Sequence, residues 1–570
     1  MGREVGRIVE VRGVSVRAEL YELFPPYIVN AGIVQIAPRI NSYVKTKVGL
    51  DVIICQVTGE YYDELRKGQF TGYYLDLTVK GFFDGDYFIQ GMRLLPMVEA
   101  NIELLDANEF KRINECSNEQ TFSIGNDLFN MNQEYFLNYN KIIPSHIGIF
   151  GNTGSGKSNT LTKLLHEYSE VLIGQNNAYL LIFDINNEYG GNAICAQEDK
   201  EIYHLTTRKK SVNKVPIDYS SLNEDEWCLL LNATEATQRP VIKTAFKDNK
   251  SADECRDLII TMIKSGQHGL IKSMQYNLRN YVSGIDNLYW NKKYEAFYIN
   301  EFGAFIFSDN ENKFQKVYDK IEVNIPEDKL HQFLFRLYFA TAIHIGYGTQ
   351  YDFISPLLRR AEKLIADFEK VFIDSTENIF HDKNIAVIQL ANVNKDMLEL
   401  IPSILTNHLF NHQIEIKEDN EHISKIVNIV VDEAHNILYE DGDDSRHSKI
   451  TINAFESAIK EGRKFGLFLW VASQRPSDIS QTIISQMHNY FIHKLVNPYD
   501  LQKIRKAVAF LDENSMNALT VLGPGECVVS GTGVNMPCFV KVHQLNKKFR
   551  PKSENVVLFG FNGIFHTEAQ

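Results

Sequence analysis

The sequence predicts an α/β protein, with a core of parallel strands and helices preceded by a small β-barrel and interrupted by a helical bundle. Three observations predict it. The continuous apolar run Ala178–Phe183, and the largely apolar Ile426–Val431, suit parallel strands buried on both faces. Between Val241 and Asp374 that pattern gives way to helical periodicity, with Leu357, Ala361, Leu364, Ile365, Phe368, Val371 and Phe372 on one face. The first hundred residues instead show short alternating segments punctuated by glycines, the signature of a small barrel or sandwich.

Composition bounds what such a chain can be. Its 570 residues are 44% hydrophobic and 23% charged, enough for more than one globular core. No run of 18 apolar residues suggests a membrane span, and Met1–Leu20 lacks the apolar centre of a secretory signal. The seven cysteines are scattered without CxxC spacing, which predicts reduced thiols and a cytoplasmic setting. A net charge of −13 excludes a protein that coats DNA with its whole surface, so any nucleic-acid contact must be a local patch.

The elements follow in order. Residues 1–110 form the barrel, where Val9 and Val11 alternate with Glu10 and Arg12, and Val52–Val57 is a second strand. Residues 120–240 open the α/β core. Ile147, Ile149 and Phe150 make a strand, Leu161, Leu164, Leu165 and Tyr168 a helical stripe, and Ala178–Phe183 the next strand. Residues 241–378 read as the helical insertion. Residues 379–540 resume the core, with strands at Ile385–Leu390, Ile426–Val431, Leu467–Ala472, Tyr490–Leu495 and Glu526–Ser530.

The loop after the first core strand carries the chemistry. Gly151, Asn152, Thr153, Gly154, Ser155, Gly156, Lys157 and Ser158, followed by Asn159, fit G-x-x-x-x-G-K-[ST] between a strand and an amphipathic helix. Glycines let backbone N–H groups turn inward around phosphates, and the helix points its positive end at the same anion. Lys157 reaches the β- and γ-phosphates and the Ser158 hydroxyl ligands Mg²⁺. The expected ligands are therefore ATP and magnesium.

Other strand ends supply acids and arginines. Ile426–Val431 delivers Asp432 and Glu433, a Walker B pair: Asp432 holds Mg²⁺ together with Ser158, and Glu433 orients and deprotonates the attacking water. Asp184 and Glu188 end another strand and are additional candidates near the γ-phosphate. Gln474, at the tip of the strand after Gly466, suits a γ-phosphate sensor. Arg463, or less readily Arg475, suits an arginine finger reaching across a subunit boundary.

Together, Gly151–Asn159, Asp432–Asn436, Gly462–Gly466 and Ser473–Ser480 resemble the HerA family of the HerA/FtsK branch of P-loop ATPases. The opening Gly6–Val11 is similar to that family's N-terminal HAS barrel. The resemblance implies a RecA-like core and a homo-hexameric ring that translocates double-stranded DNA, acting as a helicase. It also implies an effector docked on the barrel, a nuclease or a sirtuin-type enzyme, in anti-phage defence or DNA end processing. Residues 541–570 are similar to a C-terminal brace that reaches a neighbouring subunit, so the basic cluster Lys547, Lys548, Arg550 and Lys552 competes between that contact and DNA. Arg208, Lys209 and Lys210 form the densest basic loop and are the candidate DNA contacts. The family often has an arginine just before the histidine that precedes the P-loop strand; here Ser145 precedes His146. An ATP-gated scaffold that activates an effector without processive translocation is the alternative. The acidic run Asp441, Asp443 and Asp444 with Ser445 lacks EF-hand spacing and is no calcium site.

Overall fold

The computed structural model describes residues 3–551, apart from 31–32, 66–68, 86, 115–119, 130–132, 176, 300–303, 307–310, 421, 441–447, 509–510 and 512. Beyond 551 it describes only 554–556 and 567–569. Asp441, Asp443, Asp444, Ser445 and Lys552 lie outside the described residues.

The N-terminal segment closes into a six-stranded antiparallel barrel. Glu4–Arg12, Asn101–Leu104, Tyr43–Val48, Asp51–Leu65, Gln69–Asp84 and Ser15–Leu20 pair in that order, and the last returns to the first. Closure removes exposed strand edges. Alternate residues such as Val16, Ala18 and Leu20 fill the interior. The barrel rests on the core through Ile54, Phe83, Phe88, Leu105, Ile113 and Met536. At the same junction Lys45 is buried and paired with Glu109 at 2.6 Å.

The core is one sheet that contains, among the described residues, eleven strands. Seven run parallel: Lys200–Thr206, Ile385–Asn392, Ala178–Asp184, Ile426–Val431, Leu467–Ser473, Ile147–Phe150 and Asn489–His493. Four antiparallel strands extend it: Glu526–Gly531, Cys538–Val542, Thr121–Asp127 and Glu134–Asn138. The continuous apolar runs have the expected cause. Phe150, Leu181, Phe183, Ile429 and Val431 face one hydrophobic cluster, while Ile149, Leu180, Ile182, Val430 and Trp470 face another. Both faces are covered, so both sets must be apolar.

The insertion leaves the core between Val215–Ile217 and its parallel partner Phe372–Asp374. Its main helices are Arg239–Lys247, Ala252–Lys264, His268–Asn277, Glu311–Tyr318, Lys329–Gly346 and Tyr351–Val371. It is not purely helical. Leu288–Asn291, Ala296–Ile299 and Ala304–Ile306 make a three-stranded meander, and Trp290 packs edge-on against Phe297. Residues of the insertion share a single apolar cluster with one face of the sheet, where Trp227 stacks on Phe333 at 4.0 Å.

Six described cysteines are buried and unbonded. No helix among the described residues is long and apolar enough to cross a membrane.

Candidate functional site

The fully buried strand Ile147–Phe150 feeds the glycine loop, and the helix Lys157–Leu172 begins directly after it. The loop is stitched to the ends of two neighbouring strands. Gly151 N–H donates to the Ser473 carbonyl at 3.3 Å and Asn152 N–H to the Lys494 carbonyl at 3.0 Å. Gly156 has φ +106° and precedes the helix. A Cβ there would lie 2.7 Å from the Gly525 Cα, and Gly525 N–H donates to the Ser155 carbonyl at 2.8 Å. Two backbones touch at this point, and only glycine permits it.

The residues present fit a nucleoside triphosphate. The loop turns its backbone around the start of a helix, where the first N–H groups have no partner within the helix. Asn152 Oδ1 and Ser155 Oγ are buried with no hydrogen-bond partner in the protein. His493 lies beneath the loop, where burial lowers its pKa to about 4; the neutral ring hydrogen-bonds through Nδ1 to the Glu526 carbonyl at 2.8 Å.

Strand order brings the acids to the lysine. One strand, Leu467–Ser473, separates the P-loop strand from Ile426–Val431. Lys157 Nζ lies 3.2 Å from Asp432 Oδ1 and 2.7 Å from Glu433 Oε1. Burial alone would lower the lysine; the two carboxylates outweigh it and hold the ammonium above its usual range. The Ser158 hydroxyl beside Lys157 and the Asp432 carboxylate are the hard oxygen donors that Mg²⁺ requires. Glu433 adopts φ +48°, a strained conformation for a residue with a Cβ, and its N–H donates to Asp432 Oδ1 at 2.8 Å. His435 Nδ1 stands 3.3 Å from both Glu433 Oε2 and Ser473 Oγ.

The second acid cluster touches the first. Asp184 accepts from the N–H groups of Glu188 at 2.8 Å and Tyr189 at 2.9 Å, and from Gln389 at 3.3 Å. The Tyr189 hydroxyl donates to Asp432 Oδ2 at 2.8 Å. Burial, with Asp432 and Asp184 nearby, raises Glu188 to about 7. Gln474 hangs over the loop, its Oε1 accepting from the Thr153 hydroxyl. Asn159 donates to the His543 carbonyl at 3.2 Å, on the opposite flank.

The arginines and the basic loop lie elsewhere. Arg463 is exposed at the start of the strand that Gln474 ends, so about 20 Å of strand separates it from the P-loop of its own chain. It lies close enough to His146 and His488 to add to the effect of burial in lowering both. Ser145 is buried, donating to the Ile142 carbonyl at 2.6 Å and accepting from Asn489 at 2.8 Å. Arg475 is exposed, 3.9 Å from Asp478. Arg208, Lys209 and Lys210 are exposed beyond the edge strand Lys200–Thr206, five strands and about 24 Å from the P-loop strand. Lys547 and Lys548 begin a short turn whose Phe549 stacks on His166 at 4.8 Å. Sequence reasoning missed Tyr189, His435, Gln389 and His493. Tyr189 and His435 sit inside or beside recognised motifs, but no spacing announces which hydroxyl or ring meets which carboxylate.

Similarity to known proteins extends along most of the chain. Residues 122–334 match the family described as helicase HerA, central domain, and residues 404–551 the family described as helicase HerA-like C-terminal. The DNA double-strand break repair helicase HerA of Sulfurisphaera tokodaii is 27% identical over 470 residues, 81% of this chain and 77% of its own. A probable helicase of Methanocaldococcus jannaschii is 24% identical over 439 residues, 76% and 69% of the two chains. The solved structure of VirB4 from Thermoanaerobacter pseudethanolicus superposes with a TM-score of 0.41 at 14% identity, covering 76% of this chain and 98% of that one.

The touching glycines make a prediction. Gly156→Ala forces the backbone of residue 525 away from the loop, and nucleotide affinity, read by a fluorescent ATP analogue, should fall at least about tenfold.

Proposed function

The chain belongs to the HerA-type family of P-loop ATPases, and on that premise we propose that it works as a cytoplasmic hexameric ring that moves double-stranded DNA toward a partner effector. Family membership makes it an ATP-driven DNA motor of the helicase and translocase type. The observation that carries the site assignment is Lys157, held between Asp432 and Glu433 at the mouth of the glycine loop.

In this reading Gly151–Asn159 cradle the triphosphate and Lys157 neutralises its β- and γ-phosphates. Ser158 and Asp432 would hold magnesium, which would supply positive charge to offset that of the triphosphate. Glu433 orients the attacking water and takes its proton, and Gln474 senses the γ-phosphate. Arg463 acts on the site of the next subunit, because its distance from the P-loop of its own chain leaves no other use for it as a finger. Asp184 and Glu188 shape the field around Asp432. Arg208, Lys209 and Lys210 face DNA in the pore. The effector, a nuclease or sirtuin-type enzyme in anti-phage defence or end processing, docks on the barrel. The exposed Tyr87, Met92, Met97 and Val98 support a docking surface there.

One observation favours the scaffold alternative. Ser145 is enclosed by Asn489, Trp470 and the Ile142 carbonyl, so no second finger arises from that position. A ring with one trans-acting arginine turns over more slowly, which suits a gate better than a fast motor.

Three outcomes test the reading. Lys157→Ala and Glu433→Ala should each lower ATP turnover by about 10²- to 10⁴-fold; near wild-type rates would sink the assignment. Arg463→Ala should be as inactive, yet regain part of the turnover when mixed with Glu433→Gln chains, since an interface in which the Arg463→Ala chain supplies the P-loop and the Glu433→Gln chain supplies the finger is intact; no recovery removes the trans finger. Changing Arg208, Lys209 and Lys210 to Glu should reduce the salt dependence of duplex binding by roughly one ion for each cation replaced, and an unchanged slope removes the loop from DNA.

A further inference from the structure

Asp432 must present one face of its carboxylate to the nucleotide, and a side chain at a strand end can turn about its last bond. Oδ1 is occupied by Lys157 Nζ at 3.2 Å and by the Glu433 N–H at 2.8 Å. What fixes the other oxygen is a phenol from a different strand end. Tyr189 is fully buried, and its hydroxyl donates to Asp432 Oδ2 at 2.8 Å. A buried hydroxyl needs a partner, and a hydrogen bond to an ionised acceptor is among the stronger ones.

The tyrosine is itself held at several points. Its N–H donates to Asp184 Oδ2 at 2.9 Å. Its carbonyl accepts from Lys200 Nζ at 2.9 Å, and the same ammonium reaches the Ala193 carbonyl, so a lysine only 1% exposed staples the two ends of the turn. Directly after Ala193, Ile194 adopts φ +72°. For a β-branched residue that is a costly conformation, which persists only where the surroundings impose it. Here they do. Ile194 N–H donates to the Phe549 carbonyl at 3.1 Å, the Ile194 carbonyl meets His166 Nδ1 at 2.6 Å, and the His166 ring stacks on Phe549. A strained loop is thus pinned from inside by Lys200 and from outside by the C-terminal turn, and its first residue touches Asp432.

We propose that Tyr189 is a positioning residue for Asp432, fixing the plane of the carboxylate toward the metal, and that the clasp of Phe549 on Ile194 and His166 maintains it. This rests on the reading that Asp432 holds magnesium. It assigns the segment after Asp184 a role in metal affinity, separate from phosphate binding, which belongs to the glycine loop.

The test uses the full-length chain and separates metal from nucleotide. Binding of a fluorescent ADP analogue is titrated in EDTA and in magnesium, Mn²⁺ binding to the nucleotide complex is followed by electron paramagnetic resonance, and the magnesium needed for half-maximal hydrolysis is measured. Tyr189→Phe keeps the ring and removes the donor. It should raise the metal requirement about tenfold, while affinity in EDTA stays within about twofold. Phe549→Ala, remote from the nucleotide, should shift the metal requirement in the same direction by a few-fold, and it carries the test if Tyr189→Phe does not fold. A wild-type metal response in either variant, or an equal loss of affinity with and without metal, overturns the proposal. Asp432→Asn distinguishes the two levels. If it keeps the wild-type metal response, the reading of Asp432 falls and this one with it. If it loses that response while Tyr189→Phe keeps it, only the role of Tyr189 falls.

Discussion

A lysine ammonium taken out of water must find compensating charge, and in this protein that requirement organises the centre of the molecule. Lys157 is 5% exposed. Removing one partner from a buried pair of this kind costs about 3–5 kcal/mol, because a charge is left stranded. Its partners come from a strand end 275 positions later in the chain, and they can be adjacent only if the intervening sheet order is met. The order of three strands and the left-handed turn at Glu433 together set two carboxylates on one ammonium beside the glycine loop. The same arrangement that satisfies the lysine sets both carboxylates at the mouth of the glycine loop.

Much of this is legible in the chain alone. The glycine loop, the acid pair and the apolar runs carry information in short windows, because phosphate binding and two-sided burial each restrict residue type at neighbouring positions. The parallel strands at Ile385–Asn392, Ile426–Val431 and Leu467–Ser473 are therefore readable to within a residue or two. Thr121–Asp127, Glu134–Asn138, Lys200–Thr206 and Cys538–Val542 are not. Lys200–Thr206 is an edge strand with mixed polarity, and the other three belong to the antiparallel margin, where local pattern is weak. The meander in the insertion escapes for another reason. Its strands are three or four residues long, shorter than the window in which alternation can be told from chance. Tyr189 marks the sharper limit: the motif around it is visible, but a contact between a phenol and a carboxylate 243 positions apart is a property of the sheet.

The acidic balance of the chain also reads differently with the fold in view. Arg208, Lys209 and Lys210 are exposed together beyond one edge of the sheet, while the acidic residues are spread along the whole chain. A net charge of −13 describes the sum and hides that local cluster. Within about 8–10 Å, the screening length at physiological salt, three neighbouring cations act on a phosphate far more strongly than distant carboxylates do.

The position of the P-loop strand has a consequence for how the protein is made. Ile147–Phe150 is flanked on both sides by strands that end at Ser473 and His493. The barrel and the insertion are complete well before those strands leave the ribosome. At ordinary rates of synthesis the segment bearing the glycine loop waits roughly 20–70 s for its neighbours. During that interval an apolar strand has open edges on both sides, so the nascent chain is exposed to misassociation at the strand that carries the glycine loop.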